Sequence, residues 1–277
     1  MIVLAGPCVI EDEGLILETA AELKRQFEGL PIDFYFKASF DKANRTSIKS
    51  FRGPGMKEGL SILAKAKAQS GVQLVTDYHL PEQAEPVADI VDFLQVPAFL
   101  CRQTDMIVAG AEAVLKRGKK INVKKGQFLA PWDAKNIIQK LNQVAEEHSA
   151  TNENWYWITE RGVSFGYNTL VVDMSTFQTI QKLGAPVIYD ATHSVQSPGA
   201  GSGGTTTGGK RENIEVLARA AIAAGADGLF MECHPDPSRA KSDGPNAFYL
   251  EHAGTFVRQL LEIRKLVGSQ PRLLPNT

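Results

Sequence analysis

Two groups of side chains in this sequence are of chemical types that could bind substrates or a metal ion. The first group is cationic and suits phosphate or carboxylate, because Lys and Arg donate charge-assisted hydrogen bonds to anionic oxygens. It contains Lys37, Lys42, Arg45, Arg102, Lys124, Lys125 and Arg161. The second group offers a thiol, an imidazole and carboxylates, which suit a divalent transition-metal ion such as Zn2+, Fe2+, Mn2+ or Co2+. It contains Cys8, His193, Glu232 and Asp243.

The metal-site prediction rests on residue type, because no C-x-x-C or H-E-x-x-H cluster is present. His234 competes with His193 as the imidazole ligand, and Cys233 competes with Cys8 as the thiol. We rank Cys233 lower, because side chains alternate along a strand and Cys233 would point away from the side that Glu232 faces.

Short apolar runs alternate with longer amphipathic stretches and indicate how these residues are positioned. The runs cover 2–5, 34–36, 73–76, 90–96, 121–123, 155–159, 186–189 and 228–231. Helices are predicted over 15–27, 57–68, 106–116, 134–147, 175–183, 214–224 and 249–267. Eight strands that alternate with helix-sized segments predict an α/β fold, a (β/α)8 TIM barrel formed by residues 1–277 as a single domain. A doubly wound open sheet is the structural alternative.

Active sites of such barrels lie at the carboxyl ends of the strands. The residues at the predicted ends are Cys8, Lys37, Asp77, Gln95, Lys124, Arg161, His193 and Glu232. Almost all of these side chains are polar or can bind a ligand, which favours an enzyme. Cations that converge from several strands predict more than one anionic group in the substrates.

A segment rich in Gly, Ser and Thr follows the seventh predicted strand, over 194–210. Such a composition buries little apolar surface, so we predict a mobile loop at about 196–210 that acts as a lid beside the site. No Walker loop is present, and Ser194, His193 and Asp190 lack the nucleophile elbow expected of a Ser-His-Asp enzyme.

The composition excludes several other classes of protein. A net charge of -1 does not favour nucleic acid, and no apolar run reaches the length of about 20 residues that spans a membrane. No signal peptide is visible at the N-terminus. The 3 widely spaced cysteines do not suggest a disulfide framework, so we expect a cytoplasmic location.

Several ordered motifs resemble those of the 3-deoxy-D-manno-octulosonate 8-phosphate synthases. They are KASFDKANRTS at 37–47, FRGPG at 51–55, QVPAFLCRQTD at 95–105, NVKKGQF at 122–128, TERG at 159–162, FGYN at 165–168, DATHSVQ at 190–196 and FMECHPDP at 230–237. The resemblance implies a homotetrameric barrel and a transferase that condenses phosphoenolpyruvate with D-arabinose 5-phosphate and water. The products would be 3-deoxy-D-manno-octulosonate 8-phosphate, used in lipopolysaccharide synthesis, and inorganic phosphate.

The resemblance also assigns roles to residues. Lys124 and Arg161 would hold the phosphate of phosphoenolpyruvate, and Arg102 would reach the arabinose 5-phosphate of a neighbouring subunit. The implied catalytic residues are Lys37, Lys42, Lys124, His193 and Asp243. The implied substrate-binding residues are Ser39, Asn44, Arg45, Thr46, Asp77, Gln95, Phe99, Arg102 and Arg161. Thr46 stands where the family usually has Ser, which keeps the hydroxyl group.

This family divides into metal-dependent and metal-independent classes. The metal-independent class has Asn where this chain has Cys8, and tends to have Cys where this chain has Ser242. The resemblance therefore implies the metal-dependent class, with Cys8, His193, Glu232 and Asp243 as ligands.

Two other functions stay open at this point. The related 3-deoxy-D-arabino-heptulosonate 7-phosphate synthases use erythrose 4-phosphate and typically have K-P-R-T-S where this chain has K-A-N-R-T-S, so Asn44 favours arabinose 5-phosphate. A non-catalytic barrel that binds sugar phosphates is the second alternative, and the intact set of cations and metal ligands disfavours it.

Overall fold

A closed barrel of parallel strands forms the centre of the computed structural model, which describes residues 1–150, 154–200 and 207–270. The barrel strands are β1 (Ile2–Gly6), β2 (Asp33–Lys37), β3 (Gln73–Asp77), β4 (Phe93–Val96), β5 (Lys120–Lys124), β6 (Tyr156–Glu160), β7 (Val187–Asp190) and β8 (Gly228–His234). Each strand pairs with the next one in the chain, and β8 pairs with β1 so that Gly6 lies opposite Glu232. The predicted (β/α)8 TIM barrel is confirmed, and the open-sheet alternative is wrong.

Helices follow the strands and cover the outside of the barrel. They are α1 (Glu13–Phe27), α2 (Met56–Ser70), α3 (Ala84–Ile90), α4 (Thr104–Leu115), α5 (Ala134–Glu147), α6 (Thr176–Lys182), α7 (Ile214–Ala223) and α8 (Ala253–Gly268). Local sequence stabilises both ends of helix α1. The side chain of Asp12 accepts a hydrogen bond from the Leu15 backbone at its start, and the basic residues Lys24 and Arg25 lie in its last turn. Its apolar side packs into the core between helices and strands.

The interior of the barrel changes from apolar to polar along the strands. Leu4, Tyr35, Phe93 and Phe230 form an apolar cluster inside it. Side chains that point inward recur every second residue, so the next inward positions bring the polar strand-end residues together above this cluster. The apolar layer closes the barrel floor and leaves the chemistry at the carboxyl ends.

Two predicted boundaries are wrong. Ile90 was expected to begin the fourth strand, but it ends α3, because an apolar run continues from the helix into the strand without a polar break. The last helix was expected to start at residue 249, but Phe248–Tyr249 forms a short strand beside Cys233 and His234, and α8 begins at Ala253.

The Gly-rich segment begins and ends in a short antiparallel pairing of Gln196–Ser197 with Gly208–Gly209. The central part of the predicted mobile loop, 201–206, lies outside the described residues. Among the described residues, no helix has the length and apolar character needed to cross a membrane.

Candidate active site

The carboxyl ends of the strands surround a cavity of about 670 Å³. The sequence predicts that eight strand-end residues meet there, and seven of them line it: Lys37, Asp77, Gln95, Lys124, Arg161, His193 and Glu232. Ser39, Lys42 and Asp243 also line the cavity, and Cys8 lies beside Ser242 and Asp243 at its edge. The barrel therefore brings most of the cationic group and the metal-ligand group together at one cavity. The prediction that Lys125 joins them is wrong: Lys125 does not line the cavity, and its Nζ lies 3.2 Å from Oε2 of the buried Glu160.

Glu232 connects the two groups. Its Oε1 lies 2.5 Å from the Nζ of Lys37 and 3.7 Å from the Nζ of Lys42, while its Oε2 lies 3.5 Å from Nε2 of His193. Burial by itself would raise the pKa of Glu232, but the positive charges of His193 and these lysines outweigh burial and hold the pKa well below its usual range. Glu232 is therefore a carboxylate and an available ligand.

Cys8, Glu232 and Asp243 form the core of a candidate metal site. One ligand atom from each lies within 4.8 Å of the others, and the Sγ of Cys8 is 3.4 Å from Oδ2 of Asp243 and 2.8 Å from Oγ of Ser242. Burial and the negative charge of Glu232 raise the pKa of the Cys8 thiol. A buried thiol beside two carboxylates suits a divalent ion, whose charge would favour the thiolate.

His193 lies at the edge of this three-residue cluster. Its Nε2 is 3.5 Å from Glu232 and 3.8 Å from Asp243, and its Nδ1 is 2.8 Å from Oδ2 of Asp190. The hydrogen bond to Asp190 turns Nε2 towards the cluster, which is the common arrangement of a histidine that binds metal. The chemistry of Cys8, Glu232 and Asp243 therefore fits a metal ion, and the imidazole of His193 lies beside this cluster.

The two competing residues lie elsewhere. His234 accepts a hydrogen bond from the Asp236 backbone at Nδ1, and its Nε2 lies 3.5 Å from Glu11. Cys233 is buried in the core outside the barrel, as strand alternation predicts. The geometry therefore favours His193 and Cys8 over these neighbours.

Asp190 holds two predicted site residues, although the sequence prediction gave it no role of its own. It is fully buried, and its Oδ2 lies 2.7 Å from the Nζ of Lys124. Burial lowers the pKa of Lys124, and the charge of Asp190 partly offsets this. Asp190 is the last residue of β7, so a reading of strict strand ends would have found it.

Arg161 lies beside Lys124 in the wall of the cavity. Its Nη2 donates to Oε1 of Gln196 at 2.7 Å and to the backbone oxygen of His193 at 3.3 Å. Its Nε is buried without a hydrogen-bond partner among the described residues. Lys124 and Arg161 therefore present two buried positive charges in the wall of the cavity.

A second polar network surrounds Asp77. Ser39 donates to Oδ1 of Asp77, Lys42 donates to Ser39 at 3.1 Å, and Nε2 of His79 lies 3.0 Å from Oδ2 of Asp77. Burial would raise the pKa of Asp77, but the hydrogen bond and charge of His79 and the charge of Lys42 outweigh it and lower the pKa. The sequence prediction missed His79, whose position two residues after a strand-end aspartate is its one sequence signal.

The remaining predicted substrate contacts divide into two sets. Asn44, Arg45, Thr46 and Phe99 line the cavity, and Nε of Arg45 donates to the backbone oxygen of Phe51 at 3.0 Å. Arg102 is exposed and does not line this cavity in the described chain. Its predicted contact therefore requires a second subunit.

Comparison with known proteins identifies the family. The model of the DAHP synthetase I family matches residues 1–269. The chain belongs to the DAHP synthetase I family. Its strands, helices and strand-end residues all lie within that match, so the membership covers the entire barrel and the cavity.

Curated proteins similar in sequence to this chain are named "2-dehydro-3-deoxyphosphooctonate aldolase". The relative from Geobacter sp. (strain M21) is 54% identical over 265 residues, which are 96% of this chain and 92% of the relative. The relative from Albidiferax ferrireducens is 55% identical over 262 residues, or 95% of this chain and 88% of the relative. The relative from Nitratidesulfovibrio vulgaris (strain DP4) is 51% identical over 258 residues, or 93% of this chain and 90% of the relative.

Proposed function

We propose that this protein is a transferase that condenses phosphoenolpyruvate with D-arabinose 5-phosphate and water, and forms 3-deoxy-D-manno-octulosonate 8-phosphate and inorganic phosphate. The observation that carries the proposal is the single cavity in which Lys37, Lys124 and Arg161 converge. Such a cavity suits two substrates that both carry phosphate, because buried cations offset the repulsion between them. The product enters lipopolysaccharide synthesis.

The names of the relatives support the choice of aldose. Their octonate has an eight-carbon chain, which is the sum of a three-carbon enolpyruvyl unit and a five-carbon aldose. The family model has a DAHP name, but relatives that are more than half identical to this chain have the octonate name. The five-carbon substrate is therefore favoured over erythrose 4-phosphate, in agreement with Asn44 in the motif KANRTS.

The charges of the cavity suggest where each substrate binds. Lys124 and Arg161 lie together on β5 and after β6, and they hold the phosphate of phosphoenolpyruvate. Lys37, Lys42 and Gln95 surround its carboxylate and reacting carbons. Asn44, Arg45 and Thr46 lie on the loop after β2 and contact arabinose 5-phosphate beside Phe99, while Ser39 and Asp77 keep Lys42 in place.

The reaction needs both substrates and one water molecule aligned. C3 of phosphoenolpyruvate forms a carbon–carbon bond with the aldehyde carbon of arabinose 5-phosphate, and the oxygen of water adds to C2. The bond between C2 and the phosphate ester oxygen then breaks and releases inorganic phosphate. The cations stabilise the phosphate and carboxylate throughout, and the fixed geometry lowers the entropic barrier of bringing two anions together.

A divalent metal ion is part of the proposal. Cys8, His193, Glu232 and Asp243 would hold it, and it would supply a positive charge that orients or polarises an oxygen beside the reacting carbons. Cys8 is then a ligand and not a nucleophile. The support is the buried donor set, in which Asp190 aims the imidazole of His193 at two carboxylates and a thiol.

Release of phosphate from phosphoenolpyruvate tests the reaction. We expect release with arabinose 5-phosphate, a product whose mass corresponds to an eight-carbon sugar acid phosphate, and much slower release with erythrose 4-phosphate. Faster release with erythrose 4-phosphate would favour the heptulosonate alternative. Folded protein that binds sugar phosphates without turnover of either aldose would identify a non-catalytic barrel.

A strong chelator tests the metal separately from the reaction. Release should disappear on chelation and return with Zn2+, Fe2+, Mn2+ or Co2+, and the Co2+ protein should show a thiolate-to-cobalt absorption band that Cys8→Ser removes. Cys101→Ser is the matched control, because Cys101 is a buried free cysteine of the core that does not line the cavity. Release that survives verified metal removal would leave the synthase in place and contradict the metal-dependent class.

A homotetramer and a cytoplasmic location complete the proposal. The support for an interface between subunits is the exposure of three aromatic rings and of Arg102: Phe99, Phe128 and Trp132 are large apolar side chains left exposed by this chain. Light scattering coupled to size exclusion should give the mass of a tetramer, and Arg102→Ala should raise the KM for arabinose 5-phosphate. A monomer with full activity would contradict both points, and cell fractionation tests the location.

A further inference from the structure

A line of uncharged polar side chains crosses the interior of the barrel directly below the cationic cavity. Thr159 on β6 donates from Oγ1 to Oδ1 of Asn122 at 2.6 Å, and Asn122 on β5 donates from Nδ2 to Oε1 of Gln95 at 2.9 Å. Thr159 and Asn122 are 0% exposed, and Gln95 on β4 is 3% exposed. Nothing in the mechanism above uses Asn122 or Thr159.

The barrel register places these residues in line. Gln95 lies opposite Asn122 on the neighbouring strand, and Asn122 and Thr159 lie two residues before Lys124 and Arg161, respectively. Inward-facing positions recur every second residue, so Asn122 lies one inward position below Lys124 on β5 and Thr159 one below Arg161 on the β6 side, while Thr159 lies opposite Lys124 across the strand pair. The line ends at Gln95, which lines the cavity.

The hydrogen bonds give this line a direction. The oxygen of the Asn122 amide accepts from Thr159, so its nitrogen faces Gln95 and holds the oxygen of the Gln95 amide. The Nε2 of Gln95 is then turned away from Asn122, and the one side-chain hydrogen bond of Gln95 among the described residues uses its oxygen, so Nε2 is left for the cavity that Gln95 lines. An amide nitrogen can only donate, which is the polarity that an anionic oxygen requires.

A reversal of this amide would work against anion binding. If Asn122 presented its oxygen to Gln95, the oxygen of Gln95 would face the cavity and repel the carboxylate or phosphate of a substrate. The difference between a donor and an acceptor at this position corresponds to the loss of about one charge-assisted hydrogen bond, which is expected to weaken anion binding by about tenfold or more. Asn122 makes no contact with the cavity, so its effect must pass through Gln95.

We propose that Asn122 is a positioning residue, which together with Thr159 holds the amide of Gln95 with Nε2 towards the cavity, where it donates to an oxygen of bound phosphoenolpyruvate. This inference deepens the proposed function and rests on it. Asn122 and Thr159 would therefore increase the affinity for phosphoenolpyruvate without contacting it themselves.

Asn122→Asp tests the direction of the line. A carboxylate at this position accepts from both Thr159 and Gln95, so it turns the oxygen of Gln95 to the cavity. We expect the KM for phosphoenolpyruvate to rise about tenfold or more, because about 1.4 kcal/mol corresponds to tenfold in affinity. The KM for arabinose 5-phosphate should change less. Asn136→Asp is the matched control, because Asn136 is exposed on α5.

A double-mutant cycle separates this effect from the added buried charge. In a Gln95→Met background, Asn122→Asp should change the KM for phosphoenolpyruvate little further, because the amide on which it acts is gone. An equal increase in both backgrounds would overturn the proposal, since Asn122 would then act without Gln95. Wild-type protein that shows no turnover would instead contradict the proposed function itself.

Thr159 gives a second test that adds no charge. Thr159→Val removes the hydroxyl donor at nearly constant volume, and it should raise the same KM, while Thr159→Ser should restore it to within about twofold of wild type. Urea unfolding and kcat, measured on the same variants, show whether a general loss of structure accounts for the change. Thr159→Val with an unchanged KM for phosphoenolpyruvate would also overturn the proposal.

Discussion

The Nζ of Lys37 lies 2.5 Å from Oε1 of Glu232, although 195 positions of sequence separate the two residues. Lys37 ends β2, Glu232 lies in β8, and both strands pair with β1. The ion pair is almost completely buried, and Lys37 also donates to the backbone oxygen of Cys8 at 2.9 Å. This contact joins the proposed phosphoenolpyruvate site to the proposed metal site.

Removal of one partner of this pair should destabilise the protein. Lys37→Met leaves Glu232 buried without its nearest positive charge, so we expect the free energy of unfolding of the metal-free protein to fall by about 3–5 kcal/mol. The double variant with Lys37→Met and Glu232→Gln has no unpaired charge there, and it should regain much of this stability but no activity. Urea unfolding measures the stability, and a double variant no more stable than Lys37→Met would contradict the pairing.

Asp190→Asn should weaken both groups that Asp190 holds. The amide no longer offsets the charge of Lys124 and no longer fixes the ring of His193 through Nδ1. We expect metal affinity and kcat/KM each to fall by about tenfold to a hundredfold. Asp173→Asn is the matched control, because Asp173 is exposed before α6. Metal titration and steady-state kinetics check the prediction, and unchanged metal affinity would argue that Asp190 orients nothing.

The buried pair of Lys125 and Glu160 predicts a pH dependence of stability. Nζ of Lys125 lies 3.2 Å from Oε2 of Glu160, in ion-pair geometry without a hydrogen bond to that oxygen. Burial raises the pKa of Glu160 above its ordinary value of 4.5, and Lys125 only partly offsets this. The folded protein therefore binds a proton that the unfolded chain releases, so this contribution is complete below pH 4.5 and is lost as pH rises through the folded pKa.

Glu160→Gln should flatten that part of the stability profile. The test is the free energy of unfolding of wild type and variant, compared from about pH 4.5 upwards. Glu212→Gln is a suitable control, because Glu212 lies on the surface before α7. A variant whose profile runs parallel to that of wild type over this range would show that Glu160 does not titrate as described.

Gly6 is required by the close approach of β1 and β2. A Cβ atom at this position would lie 2.1 Å from the backbone oxygen of Lys37, too close for any real contact. We expect Gly6→Ala to lower the free energy of unfolding by about 1–3 kcal/mol and to reduce kcat/KM, because it displaces Lys37. Gly268→Ala has no atom within 4 Å of the added carbon and should be nearly neutral. Equal stability of the two variants would contradict this account.

Local pattern predicted most of the architecture, because alternating apolar runs and amphipathic stretches depend on residues near one another in sequence. The local pattern misplaced two element boundaries. At Ile90 no polar residue separates the helix from the following strand, and at Tyr249 strand pairing with His234 overrides the helical pattern. It predicted which residue types stand at the strand ends. It did not predict His79 as a partner of Asp77, since the sequence alone does not orient a side chain in a loop.

By itself, the sequence determined the order of strands and helices and the supply of cations, thiol and carboxylates at the strand ends. Only the tertiary structure decided which of these groups are partners: Lys37 with Glu232, Asp190 with both Lys124 and His193, and Asn122 with Gln95. The physical reason is barrel closure. It sets the register between strands that are remote in sequence, and the strength and direction of a buried ion pair or hydrogen bond depend on that register.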